Sequence, residues 1–346
     1  MGEYEVNSEL DNVTPPMRIL ICGLGSIGRK HSRILHECFP GIELSVYRSG
    51  HGSDSPELSL MSHKFSDLES AILWNPDAAI ISSPAPFHQH QALSLTSQRI
   101  PVLIEKPLGT GSEPQEGWDE LLRHSQKLPI AIGYVLRHDP CAEYIKKILD
   151  DQVLGKILEA DFYCGSWLPD WRPGTDYRSC VSSLRSMGGG VLLELSHEVD
   201  LACWFLGDFD ITFASLGQSG LLEVDVEDKV LLAGRCANCS SVTIRLNFCS
   251  QPSRRNVVIR CEKGEIDWDL LKGKVDCSTA GQELQSFTPS FQPDDRFRLQ
   301  AKRFIEAVLD RKKPYCTLND GLKVLKIVNQ AHLMSNIVKV NSRVAS

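Results

Sequence analysis

One glycine-led stretch carries residues that could move a proton. Gly188-Gly189-Gly190 runs into Val191-Leu192-Leu193-Glu194-Leu195-Ser196-His197-Glu198-Val199-Asp200, and the apolar pattern continues to Leu206-Gly207. Read as one helix at about 100° per residue, Glu194 and Asp200 fall roughly 60° to either side of His197, with Glu198 close to Glu194. The other positions are almost all apolar, so the helix is expected to be buried, with Gly207 ending it. A histidine flanked by carboxylates on the one polar strip of a buried helix is an acid–base candidate, since the carboxylates would raise its pKa and orient its ring. The plainer alternative is a core histidine satisfied by a carbonyl. Just upstream, Trp167 to Arg178 gathers Trp171, Arg172, Tyr177 and Arg178 with two aspartates. Aromatic faces beside planar donors suit a sugar ring or an anionic substituent. The alternative there is an irregular loop pinned by tryptophan packing.

A second cluster points to a nucleotide. The run Arg18-Ile19-Leu20-Ile21-Cys22 leads into Gly23-x-Gly25-x-x-Gly28, and a helical pattern follows. Gly23 can take the angles of a tight turn, Gly25 lets a pyrophosphate approach the backbone, and Gly28 lets helix pack against strand. The first amides of the helix, at Ser26 and Ile27, then face the phosphates with the positive end of the helix dipole. The next strand, Glu43 to Tyr47, closes in Arg48-Ser49, where an NAD-specific chain would carry an acid on the ribose. A guanidinium there suits a 2′-phosphate, so NADP is expected, with NAD as the alternative.

These clusters need elements to position them. An apolar strand at 77–81 ends in Ser82-Ser83-Pro84-Ala85-Pro86-Phe87-His88, and one at 102–104 ends in Glu105-Lys106-Pro107. With strands at 17–22, 43–47 and 129–133, and helices between, strand and helix alternate about five times. That pattern is α/β, a doubly wound parallel Rossmann sheet whose ligands sit at the carboxyl ends of the strands. Gly23–Gly28, Arg48–Ser49, Ser83, Pro84 and His88, and Glu105–Lys106 all fall there. Residues 50–64 read as a loop. Beyond residue 135 a helix at 139–149 precedes strand-like runs at 156–164, 209–217, 227–236, 241–249, 255–261 and 264–270, separated by turns. They predict an α+β domain with a large, mainly antiparallel sheet, closed by helices at 294–310 and 318–338. The division expected is a loose tail at 1–16, a nucleotide-binding domain at 17–135 and a substrate-binding and oligomerisation domain at 136–346.

Composition narrows the partners. A net charge of −7 with no basic stripe argues against nucleic acid. No apolar stretch reaches the roughly 18 residues of a membrane span, and the first residues lack the pattern of a signal peptide. Twelve cysteines without such a signal read as reduced thiols of a cytoplasmic protein. Cys236 and Cys239 have the spacing of half a zinc site, but no second close pair completes it, so no metal is expected.

Together these residues resemble the Gfo/Idh/MocA family of oxidoreductases, from about residue 17 onward. Glu105-Lys106-Pro107 and the triple glycine before His197-x-x-Asp200 are its more specific marks here. Trp171-Arg172-Pro173, Asp176-Tyr177-Arg178 and Glu194-Leu195-Ser196-His197-Glu198 look like a subgroup found with surface-polysaccharide and nonulosonate biosynthesis. The resemblance implies that Lys106 contacts substrate and nicotinamide ribose, that Lys106–Pro107 is cis, and that His197 exchanges a proton with the reacting hydroxyl. It also implies a homodimer or homotetramer formed on the open sheet. Many members place an aspartate four residues before the histidine; here Glu194 stands three before it. The implied activity is oxidation or reduction of a sugar-like small molecule at a hydroxyl or keto carbon, with Lys106, His197, Glu194 and Asp200 as the acid–base set. A non-catalytic dinucleotide-binding regulator or scaffold of the same fold is the competing reading. A third is an enzyme that keeps its cofactor and recycles it within each turnover.

Overall fold

The computed structural model describes residues 17–50 and 55–335. The expected tail at 1–16 and the end of the expected last helix, beyond 335, lie outside the described residues. The first half runs β1 (Arg18–Cys22), α1 (Ser26–Cys38), β2 (Glu43–Tyr47), β3 (Met61–Phe65), α2 (Leu68–Leu73), β4 (Ala78–Ile81), α3 (His88–Ser97), β5 (Val102–Ile104), α4 (Gln115–Ser125) and β6 (Ile130–Ile132). The six strands form one parallel sheet in the order β3-β2-β1-β4-β5-β6. Strands β1, β4, β5 and β6 are nearly continuous apolar runs because helices cover both faces. Strand β3 corrects the expectation of a loop through residue 64. It is an edge strand paired only to β2, with Ser62, His63 and Lys64 exposed, so it has no apolar run to announce it.

The order of strands reverses between β1 and β4. The loops leaving these two strands therefore part and leave a crevice at their carboxyl ends. Gly23 sits there at φ +91°, and a Cβ on it would lie 2.8 Å from the backbone of Ser83 in the β4 loop.

The second half continues with α5 (Pro140–Asp150), β7 (Ile157–Trp167), α6 (Val191–Glu194), α7 (His197–Leu206), β8 (Phe209–Gly217), β9 (Lys229–Cys236), β10 (Cys239–Asn247), β11 (Cys249–Cys261), β12 (Gly264–Asp269), β13 (Lys274–Thr279) and β14 (Gln285–Phe287). These strands make an eight-stranded sheet ordered β14-β13-β12-β11-β7-β10-β9-β8. All neighbours are antiparallel except β7 and β10. The period of two splits its faces. Ala160, Phe162, Cys164, Val242, Ile244, Leu246, Val257 and Ile259 are buried on one, whereas Asp161, Tyr163, Thr243 and Arg245 alternate onto the other. Strands β13 and β14 were not foreseen. They are short and polar, and β14 is an edge.

The glycine-led helix also departs from expectation. It breaks at Leu195 and Ser196, so Glu194 closes α6 and His197 opens α7. The single polar strip assumed from one continuous helix does not exist.

The chain closes with α8 (Asp295–Asp310), which returns to the first sheet, and α9 (Leu318–Met334), which touches β6 and packs along β8 of the second sheet. Ala301, Phe304 and Ile305 of α8 join Ile19, Ile21, Ile80 and Leu103 in one core cluster. Lys30 of α1 meets Asp294 at 2.7 Å, and its ammonium lies over the Phe297 ring. Thr317 and Asp320 cap α9 reciprocally, and Thr317 bridges Ala131 of β6. No helix among the described residues is long and apolar enough to cross a membrane.

Candidate active site

The glycine turn has the shape of a phosphate cradle. Gly28 is confined: a Cβ there would stand 2.1 Å from the carbonyl oxygen of Gly23. Gly25 is open: beyond its own chain neighbours nothing lies within 4 Å of where a Cβ would be. The two glycines thus serve different needs, internal packing at Gly28 and free approach at Gly25. The amides of Ser26 and Ile27 open α1 next to Gly25, which as the cap residue offers no side chain to satisfy them. Arg48 stands at the end of β2 with its N–H bonded to Phe65 O at 3.1 Å, and Ser49 beside it is exposed.

Two of the expected cofactor contacts are corrected. His88 is buried, and its ring lies between two carbonyls, Nε2 2.7 Å from Ser83 O and Nδ1 3.0 Å from Pro107 O. Burial pushes its pKa down, so the neutral ring donates to one carbonyl, and neither nitrogen is left for a nucleotide. The side chain ties the β4 loop to the β5 loop. Glu105 is likewise turned inward. Its Oε1 meets His31 Nε2 of α1 at 2.7 Å, its Oε2 accepts the Lys106 N–H at 3.2 Å, and a Cβ on Gly133 would sit 2.8 Å from the carboxylate. It shapes the loop that carries Lys106. Ser83 donates its hydroxyl to Gln91 Oε1 at 2.7 Å, so what it and Pro84 present to the crevice is backbone and ring.

Lys106 follows β5 through a cis peptide to Pro107. Its Nζ donates to the main-chain carbonyl of Glu194 at 2.9 Å and reaches Oε2 of the same residue at 3.4 Å. Oε1 of Glu194 accepts the Ser182 hydroxyl at 3.0 Å. The longer acid, one position nearer to the histidine than in many members of the family it resembles, is thus joined to the lysine.

His197 differs from expectation in its electrostatics. No carboxylate raises its pKa. Burial, then the positive charges of Lys106, Arg255 and Arg296, push it well below the ordinary imidazole range, so the ring is neutral at physiological pH. Its Nδ1 is sealed from solvent without a hydrogen bond, and Tyr134 packs edge-on at 5.7 Å between ring centroids. Asp200 is fully buried and bound by Arg137, with Nη2 to Oδ1 at 2.7 Å and Nε to Oδ2 at 3.0 Å. Burial pushes its pKa up to about 6 against the pull of Arg137. Glu198 is spent on Arg255 at 2.6 Å. Asp200 therefore fixes α7 to Arg137, in the short segment after β6, rather than flanking the histidine.

The aromatic loop is only partly turned to the site. Trp171 donates Nε1–H to Ser166 Oγ at 2.8 Å and packs edge-on against Phe248. With Arg172, Tyr177 and Ser182 it lines a small recess, and Ser182 connects that recess to Glu194. Tyr177 Oη accepts the Glu223 N–H at 3.1 Å. Arg178 is corrected: half-exposed, it is chelated by Asp176 and reaches Glu223, so it faces solvent with its donors engaged. Arg137, Ser182 and Arg255 went unnoticed in the sequence. A lone arginine in Val135-Leu136-Arg137 was the one available signal; Ser182 and Arg255 had none. Among the described residues no group of three or more histidine, cysteine or acidic side chains is arranged to hold a metal.

Two family profiles match the chain. One, described as an oxidoreductase family with an NAD-binding Rossmann fold, matches residues 17–132, and the other, the GFO/IDH/MocA C-terminal domain, matches residues 142–267. Inositol 2-dehydrogenase 2 of Saccharopolyspora erythraea is 25% identical over 240 residues, 66% of each chain. A 2,7-anhydro-N-acetylneuraminate hydratase of Mediterraneibacter gnavus is 22% identical over 248 residues, 69% of this chain and 64% of that protein. The matched stretch is thus just under two thirds of either relative. The structure of a levoglucosan dehydrogenase in complex with NADH and levoglucosan superposes with a TM-score of 0.78 at 17% identity, covering 92% of this chain and 98% of that one, and so shares its fold.

Proposed function

The chain belongs to the Gfo/Idh/MocA family of oxidoreductases, and from that premise we propose that it is an NAD(P)-dependent dehydrogenase. It would move a hydride between the nicotinamide and a hydroxyl or keto carbon of a sugar or sugar derivative. The observation that carries the reading is the meeting of Lys106 Nζ with Glu194 beside a neutral His197.

The cradle fits the cofactor: Gly25 leaves open the space that a pyrophosphate needs, and the Ser26 and Ile27 amides border it. When bound, the nicotinamide supplies the hydride acceptor or donor. Every other step falls to the chain. Lys106 donates to the reacting oxygen and stabilises developing alkoxide charge. His197 is neutral and can accept the proton of the hydroxyl. Since Nδ1 is sealed off, Nε2 is the nitrogen that exchanges it. Glu194 and Ser182 hold the lysine, and Arg137 with Asp200 holds the helix that starts at His197. Trp171, Arg172 and Tyr177 form the wall against which a sugar ring would pack. Arg48 and Ser49 would take a 2′-phosphate, which makes NADP the preferred cofactor. An amino or nucleotide sugar of glycan biosynthesis is the finer substrate reading, carried by the loop from Trp171 to Arg178. The alternating polar face of the eight-stranded sheet is where a homodimer or homotetramer would form.

A second reading keeps the same groups but returns the hydride to the substrate within one turnover. It is favoured by the similarity to a protein named as a hydratase. Cofactor retained through purification distinguishes it. Fluorescence titrations with NADPH and NADH test both readings. Tighter NADPH supports Arg48, tighter NADH reduces it to a surface charge, and no binding of either by nucleotide-free, folded protein overturns the assignment; binding with no turnover of any sugar leaves the dinucleotide-binding regulator or scaffold.

A further inference from the structure

The loop before β9 presents a buried acid that the reaction does not use. Glu227 is 7% exposed, and its carboxylate Oε1 accepts the N–H of Leu192 at 3.2 Å. Its own carbonyl accepts the N–H of Val191 at 3.1 Å. Two consecutive amides at the start of α6 therefore end on one residue, 35 positions away in sequence. The approach is close enough to dictate the sequence of the turn. Gly190 sits at φ +118°, and a Cβ there would stand 2.5 Å from Glu227 Oε1. Any side chain at 190 would both strain the backbone and push the carboxylate off Leu192. The following residue, Asp228, is fully buried and accepts from Ser219 N and Oγ at 2.7 and 2.6 Å, which anchors the loop that carries Glu227.

The segment so pinned is four residues long and ends at Glu194. That residue offers Lys106 two acceptors, the carbonyl oxygen and Oε2. A helix of one turn cannot hold its own position, so the placement of Glu194 depends on what fixes its start. We propose that Glu227 is a positioning residue for Lys106, pinning the Gly188–Gly190 turn so that Glu194 stays against the lysine ammonium. This rests on the reading of Lys106 as the group that meets the reacting oxygen, although the geometry of the clamp can be tested apart from it.

Two variants separate reach from charge. Glu227→Asp keeps the carboxylate but withdraws it by one methylene. Glu227→Gln keeps the acceptor in place and removes the charge. The readout is competitive labelling of lysine amines by acetic anhydride on the full chain, with Lys106 measured by mass spectrometry relative to Lys30, whose partner Asp294 lies elsewhere. In Glu227→Asp, Lys106 should label about tenfold faster than in the parent, a loss of coupling within the range for residues in one hydrogen-bond network. In Glu227→Gln it should label at the parent rate, and NADPH fluorescence titrations should be the same for all three proteins. Parent-rate labelling in Glu227→Asp overturns the proposal, and so does equal acceleration in both variants. Loss of the dehydrogenase reading appears separately, as absence of NADPH and NADH binding by the parent.

Discussion

The ammonium of Lys106 is held by two atoms of one residue, the main-chain oxygen of Glu194 at 2.9 Å and its Oε2 at 3.4 Å. The first half of the chain supplies the cation and the second half supplies its cage. The pair joins the β5 loop to the end of α6, so the proposed reacting centre needs both halves in place. Lys106→Ala should lower kcat by about 10³-fold, in the range of a lost transition-state donor, while NADPH binding by fluorescence stays near normal. Near-normal turnover would remove Lys106 from the chemistry.

Arg48→Asp places an acid where a 2′-phosphate would sit. The expected outcome is NADPH binding weakened by about 10- to 100-fold, equivalent to roughly 1.4–2.8 kcal/mol, with NADH affected little or improved. Paired titrations check it; an unchanged ratio of the two affinities would take Arg48 out of cofactor choice.

The glycine turn offers two matched substitutions. Gly25→Ala adds a methyl that meets nothing within 4 Å beyond its own chain neighbours, so the fold should be untouched and NADPH affinity should fall. Gly28→Ala puts a methyl 2.1 Å from Gly23 O, so the protein itself should be destabilised. Thermal melts without and with NADPH separate the two effects.

Arg137 and Asp200 form a buried pair. Removing one partner strands the other charge, and Arg137→Met should cost about 3–5 kcal/mol of stability. Adding Asp200→Leu should recover part of that loss, because the orphan carboxylate is gone. Urea denaturation of the two singles and the double measures the coupling, and strictly additive losses would contradict it.

Acid should unfold this protein from the histidine range downward. His88, His138 and His197 all have pKa values lowered chiefly by burial, His138 to about 3. A group whose folded pKa is depressed contributes stability that is fully present above its unfolded value, near 6.5. That contribution is lost as pH falls, down to the folded pKa, because the unfolded chain binds the proton first. Melting temperature should therefore drop as pH falls from 7 toward 4. His138→Gln should flatten part of that slope while leaving NADPH binding intact.

Much of the site was legible because its signals are local. The glycine turn, Arg48 and the Glu105-Lys106-Pro107 loop each sit where an apolar strand ends, and strand ends can be read from the run itself. The relation of Glu194, His197 and Asp200 could not be read that way. It assumed one helix, whereas the chain turns at Leu195 and Ser196 and sends Asp200 to Arg137. Glu105 and His88 were misread for a related reason. Both are polar residues at a ligand-binding edge, but each points inward to a partner far away in sequence, His31 for one and two loop carbonyls for the other. Strand β3 was hidden by being an edge, and Ser182, Arg255 and Glu227 matter only through contacts with distant segments.

The return of α8 to the first sheet bears on how the chain is made. All six strands of that sheet have been synthesised by residue 132, yet the Ile19, Ile21 and Leu103 face is not fully covered until Phe304 and Ile305 arrive. A nascent chain must therefore carry an apolar surface through the synthesis of some 170 residues, a span of tens of seconds at ordinary elongation rates. The nucleotide-binding half is begun first and finished last. An excised fragment ending near residue 135 would keep that face bare, and would be a sticky intermediate rather than a portable module.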